Sequence, residues 1–143
     1  MAFTYHHRVR FRETDAAGVA YFAEVLSVCH AAYEESLLQC GINLRDFFEQ
    51  APTAIPITHT CVDYLQPAFC GDLQRVYLVP HQLSEAMFEI RYEIFSEQPD
   101  PKLVSRALTR HVCIDRQQRR RSPIPAEMLQ WLRSWSAPSS ESD

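Results

Sequence analysis

The sequence lacks the features that mark membrane, secreted and nucleic-acid-binding proteins. No apolar run approaches the roughly 20 residues of a membrane span, and the first residues contain no signal-peptide core. The net charge of −4 at pH 7 gives no general attraction for nucleic acid or anionic membranes. The five cysteines are odd in number and include no Cys-x-x-Cys pair, which argues against a disulfide framework. These absences predict a reduced, cytoplasmic protein without nucleic-acid or membrane partners.

Compact metal-binding patterns are also absent. Six histidines are present, but none belongs to HExxH or to another short ligand pattern. His6 and His7 are neighbours on a predicted strand, so their side chains point to opposite faces. The sequence therefore predicts no metal site.

One long helical pattern dominates the chain. Apolar or small residues recur at helical spacing through residues 21–40, over about five turns. These residues are Phe22, Val25, Leu26, Cys29, Ala32, Tyr33, Ser36, Leu37 and Cys40. Gly41 follows, at the place where a left-handed residue commonly ends a helix. We predict a helix about 30 Å long.

Most of the remaining chain has β character. Residues 3–12 alternate aromatic or apolar side chains with polar ones, which predicts a half-buried strand that includes Phe11. Four further strands are predicted at residues 55–65, 73–79, 87–95 and 103–114.

Two shorter helices and a tail complete the prediction. Asn43 is placed to cap a short helix that Pro52 ends. Residues 126–135 have a weak helical pattern, and residues 136–143 are expected to form a disordered tail.

The order of these elements predicts the fold. Consecutive strands with short connections form an antiparallel sheet, and a helix that is apolar over more than half its circumference requires a sheet wrapped around it. We predict an α+β hotdog fold, with an antiparallel sheet around one central helix, in a single domain over residues 1–135. The main alternative, a helix-grip lipid-binding fold, has its long helix at the C-terminus, whereas here the helix follows the first strand.

A single carboxylate, Asp15, lies just before the predicted helix. The first amides of that helix, near Tyr21 and Phe22, have no intrahelical acceptor and can hold a developing oxyanion. Gly18 lets a substrate approach the backbone closely. Acyl transfer to water requires a carboxylate beside such amides. The alternative interpretation is an aspartate that only caps or turns the chain.

These residues resemble the signature of the 4-hydroxybenzoyl-CoA thioesterase family of hotdog proteins. Residues 14–22 read TDAAGVAYF and residues 33–35 read YEE, and the similarity extends over nearly the whole chain. A turn at residues 67–72 and the sequence SPIP at 122–125 support it. Residues 13–23, together with PITH at 56–59, are most similar to the branch of this family that hydrolyses 1,4-dihydroxy-2-naphthoyl-CoA in phototrophs that make phylloquinone.

The resemblance implies a cofactor-free acyl-CoA thioesterase. Asp15 matches the family's catalytic carboxylate, acting either as nucleophile or as general base. Phe22 matches the position whose backbone N–H holds the thioester oxygen, with Gly18 and Tyr21 beside the substrate. Many relatives have Tyr or His at the positions of Tyr21 and Phe22, so a hydroxyl role at Phe22 is absent. The resemblance also implies a homodimer as the minimal active unit, and two dimers associated as a homotetramer.

Two other groups of residues are candidates for substrate binding. His59 lies inside an apolar strand, where it either lines the substrate pocket or is a satisfied core histidine. Arg116 and Arg119, Arg120 and Arg121 place four positive charges after the last strand. Such a run is either a solvated turn or a contact for the phosphates of coenzyme A, which the guanidinium group suits.

The glutamates of the long helix offer a second carboxylate. Counting 100° per residue from Phe22 places Glu24 and Glu35 on the helix face opposite the core. Glu34 falls between the two faces and stays a weaker candidate.

Other functions remain open at this point. Within enzymes, the alternative is a broad-specificity aryl- or short-chain acyl-CoA thioesterase. A hotdog dehydratase is disfavoured, because no His/Glu pair stands at matching positions. A non-catalytic acyl-CoA-binding protein is the alternative from another class, and such a protein has no reason to keep Asp15 exposed to the thioester.

Overall fold

The computed structural model describes residues 2–136. They form an α+β fold with seven strands and two α-helices, so the predicted class is confirmed. The strands are β1 (Phe3–Arg8), β2 (Thr53–Ala54), β3 (Ile57–Tyr64), β4 (Leu73–Gln82), β5 (Met87–Ser96), β6 (Lys102–Val112) and β7 (Ile114–Asp115). The helices are α1 (Phe22–Gln39) and α2 (Ala126–Trp135). The tail predicted for residues 136–143 lies outside the described residues, apart from Ser136.

Five strands form one antiparallel sheet in the order β1-β4-β5-β6-β3. The two short strands, β2 and β7, form a separate antiparallel pair. In the large sheet β1 and β3 are the edge strands, so the strand before α1 and a strand after it lie at opposite sides. The four long strands after the helix were predicted within a few residues of their observed ends.

Helix α1 packs on the inner face of the sheet and was predicted to within one residue at each end. Its buried stripe consists of Val28, Cys29, Ala32, Tyr33, Ser36 and Leu37. Gly41 adopts a φ of 80° and its N–H donates to the carbonyl of Leu38, which ends the helix as expected. Phe22, placed on the buried stripe by its spacing, is instead 60% exposed, because it stands at the open end of the helix.

The first strand is shorter than predicted. β1 ends at Arg8, and residues Phe11–Glu13 form a 3₁₀ helix, so the strand predicted through residue 12 was wrong beyond this point. Arg8 lies opposite Leu73, the first residue of β4, and beyond it only Val9 still bonds to the preceding turn, through the Asp72 carbonyl and the Gly71 N–H. Phe11, expected on the buried face, is 82% exposed as a result.

The two smaller helices follow the predicted pattern. Asn43 Oδ1 accepts the N–H of Asp46 at 3.0 Å, at the start of the short helical segment Asp46–Gln50. Helix α2 buries Met128, Trp131 and Leu132, so packing stabilises a segment whose intrinsic helical pattern is weak. Within residues 2–136, no helix is long and apolar enough to cross a membrane.

Candidate active site

Asp15 lies in a tight loop that is closed at its base. Thr14 and Ala20 form an antiparallel bridge, and the N–H of Asp15 donates to Val19 at 3.0 Å. Gly18 turns the chain with a φ of 82°, a conformation that favours glycine by itself. A Cβ at Gly18 would meet nothing within 4 Å, so space is not the reason for the glycine. Its contact with substrate stays a prediction.

The loop fixes one oxygen of Asp15 and leaves the other available. Oδ1 accepts the backbone N–H of Ala17 at 2.8 Å. Among residues 2–136, Oδ2 has no hydrogen-bond partner, and the residue is exposed. The side chain is therefore oriented and still open to a reactant.

The amides that follow differ from the prediction at one position. The N–H of Tyr21 donates to the carbonyl of Glu13 at 2.7 Å, so this amide is not available to a thioester oxygen as we expected. The N–H of Glu24 donates to the carbonyl of Tyr21 at 2.9 Å. Phe22 is the first helical residue, where the helix itself supplies no acceptor for the N–H. Phe22 is thus the better placed of the two predicted oxyanion donors.

Asp15 and Phe22 line the same cavity, which has a volume of about 390 Å³. It lies between the start of α1, the loop after β3 and the inner face of the sheet. Its apolar wall is formed by Val9, Val19, Ala20, Phe22, Val25, Val28, Leu65, Pro67, Ala68, Ile94 and Val104. Its polar residues are Glu13, Asp15, Glu24, Tyr64, Gln66, Gln74 and Ser105. The arrangement suits an apolar group whose reacting end lies beside a carboxylate and a free amide.

Glu24 corrects one of our expectations about the helix glutamates. It is half-buried and lines the cavity, although its angle placed it on the face opposite the core, because the cavity extends around the start of α1. Within residues 2–136, Glu34 and Glu35 do not line this cavity. Glu34 lies 2.9 Å from His30 Nδ1, one turn earlier on the helix. The structure therefore brings Glu24, and not Glu34, near Asp15.

Two cavity residues, Tyr64 and Glu13, escaped the sequence analysis. The hydroxyl of Tyr64 donates to the carbonyl of Phe22 at 2.9 Å and so links the end of β3 to the first turn of α1. Burial raises the pKa of this hydroxyl above its ordinary value, with a smaller effect from Cys29. The available signal for Tyr64 was an aromatic residue ending a β pattern just before the Gln66-Pro67 turn.

His59 is not where either interpretation placed it. It is exposed on the edge strand β3, opposite Arg110 of β6, which in turn lies opposite Glu89 of β5. The next pair along these two strands, Thr60 and Thr109, faces the side of the sheet that α1 covers. Side chains alternate between the two faces along a strand, so His59 faces the other side. His59 therefore lies on the outer face of the sheet, away from the cavity and from the core.

The arginine cluster lies far from Asp15 within one chain. Val104 lines the cavity near the start of β6, and the cluster follows the end of that strand, roughly 26 Å further along at about 3.3 Å per residue. Arg119, Arg120 and Arg121 are exposed. Arg116 instead donates to the carbonyl of Ala51 at 2.7 Å, which gives it a structural contact. A role for the three exposed arginines in binding stays a prediction.

The arrangement of the side chains supports neither a metal site among the described residues nor a nucleophilic role for the two buried cysteines. In the part of the chain from residue 2 to 136, no three His, Cys, Asp or Glu side chains form a group that could hold a metal ion. All five cysteines are free thiols. Burial raises the pKa of the Cys29 thiol to about 12 and that of Cys113 to about 11, which disfavours either as a nucleophile.

Comparison with known proteins agrees with this geometry. Residues 9–132 match the family model of the thioesterase-like superfamily. The chain is 46% identical to the 1,4-dihydroxy-2-naphthoyl-CoA hydrolase of Acaryochloris marina, over 92% of this chain and 96% of that protein. It is 49% identical to the hydrolase of the same name from Nostoc punctiforme, over 92% of this chain and 87% of that protein. The crystal structure of a 1,4-dihydroxy-2-naphthoyl-CoA thioesterase from Synechocystis matches with a TM-score of 0.89 and 35% identity, covering 96% of this chain and all of that one.

Proposed function

The chain belongs to the thioesterase-like superfamily of hotdog proteins, and from that premise we propose that it hydrolyses 1,4-dihydroxy-2-naphthoyl-CoA to 1,4-dihydroxy-2-naphthoate and coenzyme A. This reaction belongs to the biosynthesis of phylloquinone. Several relatives that carry this activity in their names are 42% to 50% identical to the chain over at least 90% of its length.

One observation carries the proposal. Asp15, with a free carboxylate oxygen, and Phe22, with a backbone N–H that the helix leaves without an acceptor, line one largely apolar cavity. A thioester bound there places its carbonyl oxygen at the amide, while its carbonyl carbon faces the carboxylate. The apolar wall receives the aromatic rings.

Asp15 serves this reaction in one of two ways. As a nucleophile it attacks the carbonyl carbon, the C–S bond breaks with release of the coenzyme A thiolate, and water then hydrolyses the mixed anhydride. As a general base it takes a proton from the water that attacks the same carbon. In both cases negative charge develops on the carbonyl oxygen, where the Phe22 amide stabilises it.

The active unit is proposed to be a homodimer, and by resemblance two dimers form a tetramer. Among residues 2–136, strand β3 is an unpaired edge of the sheet and exposes Ile57 and Tyr64, and exposed edges favour pairing with another strand. Tyr64 also touches the first turn of α1, so this edge borders the cavity. We propose a cytoplasmic location, in which exposed thiols such as Cys61 and Cys70 stay reduced.

A thiol-release assay across several acyl-CoA esters tests the function. The panel contains 1,4-dihydroxy-2-naphthoyl-CoA, 4-hydroxybenzoyl-CoA and straight-chain acyl-CoAs, compared by kcat/KM. The proposal predicts the highest value for the dihydroxynaphthoyl ester. Preference for straight-chain esters would overturn the naphthoyl assignment in favour of a broad thioesterase, and binding without turnover of any ester would indicate a non-catalytic acyl-CoA-binding protein.

A further inference from the structure

Glu13 is a buried carboxylate in the cavity wall, and the hydrolysis described above gives it no role. The residue is only 6% exposed and lines the cavity together with Asp15. Its Oε1 lies 2.7 Å from His7 Nε2. Within residues 2–136, its second oxygen, Oε2, has no hydrogen-bond partner. Oε2 is not fully buried, so it stays accessible from the cavity and can accept a hydrogen bond from a donor that enters there.

The carboxylate is held in place from two sides. The His7 ring, itself mostly buried, holds Oε1. The Glu13 backbone carbonyl accepts the N–H of Tyr21, which fixes the main chain at this residue. An acceptor that is already oriented loses little entropy when it binds a ligand. Glu13 therefore resembles a recognition group more than a solvated surface acid.

We propose that Glu13 recognises a hydroxyl group on the aromatic ring of the substrate, at the position ortho to the thioester carbonyl. Oε2 accepts the hydrogen bond of that hydroxyl while Asp15 faces the carbonyl carbon. The inference rests on the proposed function and deepens it, because it specifies the substrate class as ortho-hydroxylated aryl-CoA esters. In 1,4-dihydroxy-2-naphthoyl-CoA the hydroxyl at ring position 1 is the ortho group.

The short distance between Glu13 and Asp15 favours recognition of a hydroxyl at the ortho position of the ring. Glu13 and Asp15 are two residues apart, so their Cα atoms are separated by at most about 7 Å. The ortho hydroxyl is attached to the ring carbon next to the one that bears the thioester, whereas the hydroxyl at position 4 is meta to that carbon, one ring atom further away. A group that sits beside Asp15 therefore meets the ortho hydroxyl first.

Substrate discrimination should follow from the unpaired oxygen. A ring without the hydroxyl buries Oε2 against apolar carbon and leaves it without a partner. Sites built to bond a substrate hydroxyl reject analogues that lack it for this reason. A hydrogen bond to a charged group corresponds to roughly 10- to 100-fold in kcat/KM.

The test compares 1-hydroxy-2-naphthoyl-CoA with 2-naphthoyl-CoA in the parent protein and in Glu13→Gln. The ratio of kcat/KM for the two esters is the readout, and comparing that ratio between proteins removes the difference in their chemical reactivity. We expect Glu13→Gln to lower the hydroxyl preference by roughly 10-fold or more, since the charged acceptor is lost. Glu35→Gln, a matched change outside the cavity, should leave the ratio unchanged.

Each outcome separates this inference from the proposed function. If the parent hydrolyses both esters and Glu13→Gln keeps its ratio, the role of Glu13 is overturned while the thioesterase function stands. If the parent hydrolyses neither of these esters nor 1,4-dihydroxy-2-naphthoyl-CoA, both fail. If it hydrolyses only the last of the three, the ortho hydroxyl is not the group that is recognised, and this inference alone fails. Should Glu13→Gln not fold, as judged by circular dichroism, His7→Ala decides: it removes the hydrogen-bond partner that holds Oε1, so an unchanged ratio in that variant also overturns the inference.

Discussion

The carbonyl oxygen of Glu13 accepts the backbone N–H of Tyr21 at 2.7 Å, which joins the residue two before Asp15 to the residue just before α1. Together with the bridge between Thr14 and Ala20, this contact closes the loop without using any catalytic side chain. The position of the Asp15 backbone relative to the Phe22 amide is therefore set by main-chain hydrogen bonds. Substitutions of the Asp15 side chain should leave that relation intact.

Ser36→Ala should destabilise the fold. Ser36 is fully buried, and its Oγ accepts the indole N–H of Trp131 at 2.9 Å, which joins α1 to α2. Alanine leaves that buried donor without a partner, which costs about 1–3 kcal/mol in the free energy of unfolding. Urea unfolding measures the change. Ser134→Ala, an exposed serine on α2, is the matched control; equal stability of the two variants would contradict the account.

The stability of the protein should fall at acidic pH because His111 has a lowered pKa in the folded state. Burial lowers its pKa to about 4, and the nearby charge of His30 adds to the effect, compared with the ordinary value of 6.5. Between these values the unfolded chain binds a proton that the folded protein does not, so stability is lost as the pH falls through this window. The loss from pH 7 to pH 5 amounts to about 2 kcal/mol.

His111→Gln provides the comparison for that prediction. The variant cannot bind the proton in either state, so its unfolding free energy should fall less between pH 7 and pH 5 than that of the parent. Urea unfolding at both pH values gives the change in unfolding free energy for each protein. Only these two changes are compared, so a difference in absolute stability between the variant and the parent does not affect the result. Parallel pH curves would show that other groups cause the acid sensitivity.

The central elements of the fold could be predicted because local chemistry and packing agree there. Helix α1 has an uninterrupted apolar period and a glycine stop at Gly41, so both of its ends were predicted closely. Strand β5 alternates along its length, with buried Phe88, Ile90 and Tyr92 on the core side. The loop that holds Asp15 was predicted from the residues around it, and the catalytic role of Asp15 stays a prediction.

What the sequence does not contain is the order of the strands. Alternation divides a strand into two faces, but which face is covered depends on its neighbours in space. His59 was therefore placed in the pocket or the core, whereas β3 is an edge strand and His59 lies outside. Glu13 was overlooked for a related reason, because its burial depends on His7 of β1 and on the early end of that strand.

The arginine cluster should affect substrate binding more than chemistry. If Arg119, Arg120 and Arg121 contact coenzyme A phosphates, replacing all three by Ala removes interactions that are equal in the ground and transition states, so KM rises while kcat is nearly unchanged. Salt should weaken the effect, since exposed charges are screened within about 8 Å at physiological ionic strength. Arg133→Ala, on α2, serves as the control, and an unchanged KM at low salt indicates a solvated turn.

The oligomeric state gives a separate test of the proposed homodimer, whose argument rests on the exposed edge strand β3. Light scattering should return a mass at least twice the 16.6 kDa of one chain. Activity per chain should fall on dilution once the dimer dissociates, because the proposed active unit contains two copies. A fully active monomer of 16.6 kDa would contradict the proposal.

The most direct test of the central claim is the kcat of Asp15→Asn on 1,4-dihydroxy-2-naphthoyl-CoA. Asparagine keeps the oxygen that accepts the Ala17 N–H, so the loop and the fold should survive. The amide can neither attack a thioester nor take a proton from water, and general-base catalysis alone is typically worth about 10²–10⁴-fold, so kcat should fall by at least 10²-fold. Glu35→Gln, outside the cavity, should retain the parent rate. A folded Asp15→Asn protein whose kcat stays within about tenfold of the parent would contradict the account, because a general base alone contributes more than that.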